Sequence, residues 1–160
     1  MRIDTGSPAP TFTLETPEGP VSLSDFAGKI LVVYFYPRDD TPGCTTEAIQ
    51  FTALADDFAT AGATVLGVSK DTVASHRKFA DKHKLGLRLG SDPDGQTVEA
   101  FGAWVEKSMY GKTYMGIDRS TFLIGPDGKV AAAWRKVKVP GHAEAVLKAA
   151  QSLGRVRHLG

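Results

Sequence analysis

Apolar and polar positions along the chain change period several times. Residues 30–36, Ile-Leu-Val-Val-Tyr-Phe-Tyr, form an unbroken β-branched and aromatic run. Such a run predicts a strand buried on both faces, as in the centre of an α/β sheet. Beyond the loop 37–42 the period becomes helical: Ala48, Phe51, Ala55 and Phe58 share a stripe, with Leu54 beside it. Thr41 suits the N-cap and Pro42 the first helical position. Residues 63–68 read as a second buried strand and 72–83 as a helix with a polar outer face. A short helix is expected over 98–101, opened by Asp92-Pro93-Asp94 and closed by Gly102.

Two hairpins frame this centre. Residues 11–14 and 21–23 flank Pro17-Glu18-Gly19-Pro20, and residues 121–124 and 130–134 flank Gly125-Pro126-Asp127-Gly128. Ala143, Val146, Leu147, Ala150 and Leu153 then mark an amphipathic helix, with Gly154 as its expected stop and 154–160 as a loose tail. The order strand, helix, strand, helix, hairpin, helix predicts one α/β domain over 1–160, with a mixed sheet flanked by helices. In such sheets the site lies beyond the carboxyl ends of strands, at helix N-termini. Here that place is the segment from Pro37 to Cys44.

Composition narrows the class. Nineteen basic and eighteen acidic residues give a net charge of +1, against a nucleic-acid binder, which usually carries a basic excess. The longest strongly apolar run, 30–36, is far short of the ~20 residues of a membrane helix, and the N-terminus lacks the apolar stretch of a signal peptide. One cysteine permits no internal disulfide and favours a reducing, cytoplasmic setting.

That cysteine carries the chemistry. With Thr41 as N-cap, Cys44 falls in the first helical turn, where unpaired N–H groups and the positive dipole end favour the thiolate. The dipole supplies at most ~2 kcal/mol, so a largely ionised thiol also needs a nearby cation, for which Arg38 and Arg119 are the candidates. Other signals point to structure. His76, His83, His142 and His158 lack metal spacing with the cysteine and read as solvated or capping residues. Asp92-Pro93-Asp94-Gly95 has too few ligands after it for a calcium loop. The absence of C-x-x-C argues against a disulfide reductase. Trp104, Tyr110, Tyr114 and Met115 could line an apolar approach to the site or simply pack.

Pro37, Thr41 and Cys44 stand in the spacing P-x-x-x-T-x-x-C, which resembles the active-site signature of the peroxiredoxins. The stretch from Val33 to Thr45, the segment Val68-Ser69-Lys70-Asp71 and the stretch from Lys107 to Ile124 together resemble the bacterioferritin comigratory protein branch, also called peroxiredoxin Q. The resemblance implies a thioredoxin-like fold and thiol-dependent reduction of hydrogen peroxide and organic hydroperoxides, without a cofactor or metal. It casts Cys44 as the peroxidatic cysteine, oxidised to sulfenic acid. Thr41 would hydrogen-bond the peroxide, Arg119 would supply a fixed charge, and Pro37 would shield the sulfur from water. Glu47 matches a position that would orient Arg119.

One departure matters. Many members of the branch carry a resolving cysteine five residues after the peroxidatic one, where this chain has Ile49; others carry it on the following helix, where this chain has none. The sulfenic acid must then be reduced by an external thiol: thioredoxin, glutaredoxin or a low-molecular-weight thiol. A monomer or weak homodimer is expected. Rival readings are a thiol transferase on the same fold, which would not need Thr41 or Arg119, and a non-enzymatic redox sensor or chaperone.

Overall fold

A computed structural model describes residues 3–159, with side chains up to Gly154. The chain opens with a short antiparallel hairpin, β1 (Thr13–Leu14) and β2 (Val21–Ser22), followed by a 3₁₀ turn, Leu23–Phe26. Then come β3 (Ile30–Phe35), α1 (Pro42–Ala53), α2 (Ala55–Thr60), β4 (Ala63–Ser69), α3 (Val73–His83), β5 (Arg88–Ser91) and α4 (Gln96–Ala100). The rest is β6 (Trp104–Met109), β7 (Lys112–Ile117), β8 (Ser120–Ile124), β9 (Val130–Trp134) and α5 (His142–Leu159). The central sheet has the order β5-β4-β3-β8-β9, with β3, β4 and β5 parallel and β8 antiparallel to both of its neighbours, β3 and β9.

All six residues of β3 are buried. Because successive side chains point to opposite faces of a strand, β3 serves two cores. Ile30, Val32 and Tyr34 join Tyr36, Ala48, Phe51, Phe58, Phe79 and Val146 beneath the helices. Leu31, Val33 and Phe35 join Phe12, Leu14, Val98, Phe101 and Phe122 beneath the N-terminal hairpin and α4. Gly67 on β4 makes room for the first core, since a Cβ there would lie 2.8 Å from the Tyr34 ring.

Several expectations need correcting. The stripe from Ala48 to Phe58 spans two helices, broken at Leu54 (φ −101°, ψ 6°). Gly154 does not stop the last helix, which runs on to Leu159, so the expected loose tail is helical through that residue; Gly160 lies outside the described residues. The glycine answers a close approach instead: a Cβ there would sit 2.8 Å from the Ala61 carbonyl oxygen. His76 and His142 are buried rather than solvated, while the side chain of His158 lies outside the described residues. The structure adds to the expected elements the 3₁₀ turn, β5 and the β6–β7 ribbon. Tyr110 and Gly111, both at positive φ (53° and 77°), close the ribbon, which suits the tight turn of a two-residue hairpin.

Candidate active site

The site sits where β3 gives way to α1. Tyr36 remains buried, Pro37 and Arg38 are exposed, and Asp39 turns back into the protein. Asp40 adopts the left-handed conformation (φ 58°), which Asp tolerates better than most residues. Its carboxylate accepts from Lys82 Nζ (2.8 Å) and pairs with His83 Nε2 (2.9 Å), both in the last turn of α3. Those two partners hold the Asp40 carboxyl below its ordinary value. Thr41 has the extended backbone of an N-cap (φ −99°, ψ 154°), and its carbonyl accepts the Thr45 N–H at 2.8 Å.

Cys44 therefore falls in the first turn of α1 and is 1 % exposed. The residue ahead of β8, Arg119, reaches it because β8 pairs with β3 in a register that sets Ser120 opposite Phe35. Arg119 Nη2 donates to Cys44 Sγ at 3.4 Å, and Nη1 donates to Glu47 Oε1 at 2.6 Å. Glu47 is one turn beyond Cys44, so one guanidinium spans two groups on one helix face. The fit is tight: a Cβ on Gly43 would stand 3.2 Å from Nη2.

The electrostatics follow from burial. Glu47 is 1 % exposed, and its second oxygen, Oε2, has no hydrogen-bond partner. Burial pushes its carboxyl up to about 7, with Arg119 pulling the other way. Burial also opposes the Arg119 charge, but Glu47 and Cys44 outweigh it and hold the guanidinium above its ordinary value. Tyr34 stacks on Phe51 at 4.7 Å, and its hydroxyl also lacks a partner. Burial, with Glu47 and Cys44 nearby, raises its pKa well above 10, so it stays protonated. His142 pairs with Thr121 Oγ1 at 2.7 Å, and burial, aided by the Arg119 charge, lowers it to about 4.

Of the residues read from the sequence, the structure brings together Cys44, Arg119 and Glu47. Arg119, not Arg38, is the cation at the sulfur; Arg38 lines a groove along α3 with Lys78 and Lys82. The Thr41 hydroxyl donates to the Arg38 carbonyl at 2.9 Å and makes no capping bond, so its proton is committed within the loop. Pro37 is exposed at the start of that loop. Trp104, for which the sequence leaves open both an apolar approach to the site and ordinary packing, lies under the Lys70 ammonium at 4.3 Å, and Tyr110 is 98 % exposed at the ribbon tip.

His76, expected to be solvated or capping, instead meets Asp39 and Asp71, and ligand-type atoms of the three lie within 4.8 Å of one another. Hydrogen bonds join them here. His76 Nδ1 is 2.7 Å from Asp39 Oδ2, and Asp71 Oδ2 accepts from the Asp39 N–H (2.8 Å) and the Ser69 hydroxyl (2.6 Å). The group is thus a hydrogen-bonded network that needs no ion to hold it.

A model of the AhpC/TSA family matches residues 5–133. The chain belongs to that family. It is 52 % identical over 150 residues to peroxiredoxin Bcp of Xanthomonas campestris, covering 89 % of this chain and 91 % of that protein. It is 46 % identical over 149 residues to peroxiredoxin Bcp of Bacillus subtilis, covering 92 % and 95 %. Among solved structures, the bacterioferritin comigratory protein of X. campestris, studied for its alkyl peroxide reduction activity, superposes with a TM-score of 0.88 at 47 % identity. That match covers 94 % of this chain and 99 % of the other. A cysteine-to-serine mutant of peroxiredoxin Q from Xylella fastidiosa gives 0.90 at 42 % identity, covering 95 % and 98 %. The expected fold class holds: this is a thioredoxin-like peroxiredoxin fold, and the chain is a thiol-dependent peroxidase.

Proposed function

We propose that Cys44 is the peroxidatic residue, in a one-cysteine cycle acting on hydrogen peroxide and organic hydroperoxides. The observation that carries this reading is the Arg119 guanidinium on Cys44 Sγ at 3.4 Å, within the first turn of α1. The thiolate attacks one peroxide oxygen and the O–O bond breaks. The departing oxygen takes a proton and leaves as water or alcohol, and the sulfur, oxidised by two electrons, keeps the other oxygen as sulfenic acid. Negative charge moves from sulfur to the leaving oxygen in this step. A fixed guanidinium with several donors stabilises it without reorganising. Glu47 orients Arg119 by taking its other nitrogen. Thr41 acts on the peroxide once its hydroxyl turns from the Arg38 carbonyl, and Pro37 screens the sulfur.

The chain has one cysteine, so reduction is external. One thiol condenses with the sulfenic acid, releasing water and leaving a mixed disulfide, which a second thiol cleaves to regenerate Cys44. The thiols come from thioredoxin, glutaredoxin or a low-molecular-weight thiol. We place the protein in the cytoplasm as a monomer or weak homodimer. Among the described residues no helix is long and apolar enough to cross a membrane.

The test is peroxide consumption by the purified protein with each donor, beside Cys44→Ser. The wild type should consume peroxide and gain one dimedone adduct on Cys44 after one equivalent, and the serine variant should do neither. Undiminished consumption by Cys44→Ser would overturn the assignment.

A further inference from the structure

The loop that delivers Cys44 to Arg119 is anchored on its far side by a buried network that the chemistry above does not use. Asp39 is 8 % exposed and His76 fully buried. The Asp39 carboxylate accepts from the Tyr36 hydroxyl at 2.6 Å and from the Ser75 hydroxyl at 2.8 Å, and meets His76 Nδ1 at 2.7 Å. The other imidazole nitrogen, Nε2, lies 3.0 Å from the Gly90 carbonyl. A carbonyl only accepts, so Nε2 carries a hydrogen. A proton then lies between Nδ1 and Asp39 Oδ2, whichever atom holds it. The Asp39 backbone donates to Asp71, which Ser69 also holds. A single loop residue is thereby tied directly to α3 and to the residues that follow β3 and β4, and through Asp71 and His76 to Ser69 of β4 and Gly90 of β5. Fully satisfied buried networks of this kind rigidify what they hold.

Resting on the peroxidase reading, we propose that Asp39 and His76 are positioning residues for the peroxide step. Thr41, the N-cap, is two residues beyond Asp39, and Cys44 three beyond that. The next residue, Asp40, is held to the other end of α3 by Lys82 and His83. Helix α3 is thus a backboard gripped at both ends by consecutive aspartates, and the loop has no slack before the first turn of α1. What Asp39 fixes is the separation of Cys44 Sγ from the guanidinium. A displacement of the order of 1 Å from such a contact can cost roughly 100-fold in rate.

The experiment measures Cys44 oxidation in a single turnover, by quenched-flow alkylation of the remaining thiol after mixing with hydrogen peroxide. Asp39→Ala and His76→Phe should fall roughly 10- to 100-fold. Asp39→Asn can offer an N–H to a neutral His76 and still accept from Tyr36, so it should stay within about 3-fold. Ile124→Ala, a cavity variant in the core on the other face of the sheet, at the end of β8 away from Arg119, serves as a control that loses stability outside the core that holds Tyr36 and Cys44. Exchange of the α1 first-turn amides should quicken in Asp39→Ala and not in Ile124→Ala. Should Asp39→Ala or His76→Phe not fold, Ser75→Ala, which removes one donor, should lose about 3-fold and quicken the same amides. Rates that track melting temperature alike in the loop and control variants would overturn the positioning role. So would a failure of Asp39→Asn to rescue. A wild type that leaves Cys44 unoxidised would refute the peroxidase reading, a result distinct from either.

Discussion

Two buried carboxylates flank the start of α1, and they are treated in opposite ways. Asp39, on the α3 side, meets three partners through its side chain, the Tyr36 and Ser75 hydroxyls and His76 Nδ1, and leaves neither oxygen bare. Glu47, on the β8 side, has one partner, Arg119, and a second oxygen with none. A buried polar group without a partner costs stability, so the Glu47 side is held in an unfinished state that the Asp39 side never enters. The finished network is an anchor. The unfinished one is where a guanidinium divides its donors between a carboxylate and a sulfur, and where charge can be redistributed during a reaction.

The sharpest way to break this contrast is to remove what the unfinished side shares. Arg119→Met should slow single-turnover oxidation of Cys44 by about 10²–10³-fold, the usual cost of losing a donor aimed at developing charge. Arg119→Lys keeps the charge but cannot present two nitrogens in a fixed fork, so it should recover only part of the loss. If Arg119→Met oxidises at the wild-type rate, the 3.4 Å contact has no part in the chemistry.

The carboxylates also differ in legibility. Cys44, Thr41 and Pro42 could be placed from the chain because a strand, a loop and a helix start are local patterns with local causes. Arg119 lies 75 residues from Cys44, and only family resemblance, not periodicity, picked it over Arg38. Asp39 was illegible: its burial depends on Ser75, His76 and Gly90 arriving from α3 and β5, and β5 itself is four residues, Arg-Leu-Gly-Ser, with a charged end and a glycine. The β6–β7 ribbon escaped for another reason. Its residues are mostly exposed or half-buried, so the chain carries no clean inside–outside alternation there, and its one local signal was the Tyr110-Gly111 turn. Gly154 misled because a glycine near the end of an apolar stripe reads as a stop, whereas here it admits a neighbouring carbonyl.

A smaller effect concerns pH. The native Glu47 carboxyl keeps its proton up to about 7, whereas its ordinary value is 4.5. Between those values the folded state binds more protons than the unfolded one, so stability from this group falls as pH rises. Relative to Glu47→Gln, the wild type should lose about 3 kcal/mol between pH 4.5 and 7, at ~1.36 kcal/mol per unit. His142 works in the opposite sense. Unfolded, it takes a proton near 6.5, but folded only near 4, so its contribution rises with pH across that window. The two slopes overlap and flatten the wild-type profile. Urea midpoints from about pH 4.5 to about 7.5 should therefore show stability climbing more steeply in Glu47→Gln and falling in His142→Gln. Parallel profiles for Glu47→Gln and the wild type would mean that the bare oxygen of Glu47 is hydrated after all.

The least effect is expected where relatives would show the greatest. Positions 44 and 49 are about 7.5 Å apart along a helix axis and about 140° apart around it. A disulfide wants its Cα atoms within ~7 Å and its Cβ vectors converging, so a cysteine at position 49 could bond Cys44 only by unwinding the first turns of α1. This chain has Ile49 there, 45 % exposed, and nothing asks for unwinding. Oxidising wild-type Cys44 with one equivalent of peroxide should leave far-UV circular dichroism and amide exchange over residues 45–51 unchanged. Ile49→Cys should form an intramolecular disulfide on the same treatment and lose protection across those residues. The contrast between the two carboxylates sets how far that loss travels. If Asp39 is a fixed anchor, the amides of Asp39 and His76, bonded to Asp71 Oδ2 and the Thr72 carbonyl, should stay protected while the Glu47 side comes apart. Loss of protection on both sides together would show that the loop and α1 open as one unit, and the division between anchor and reactive side would fail.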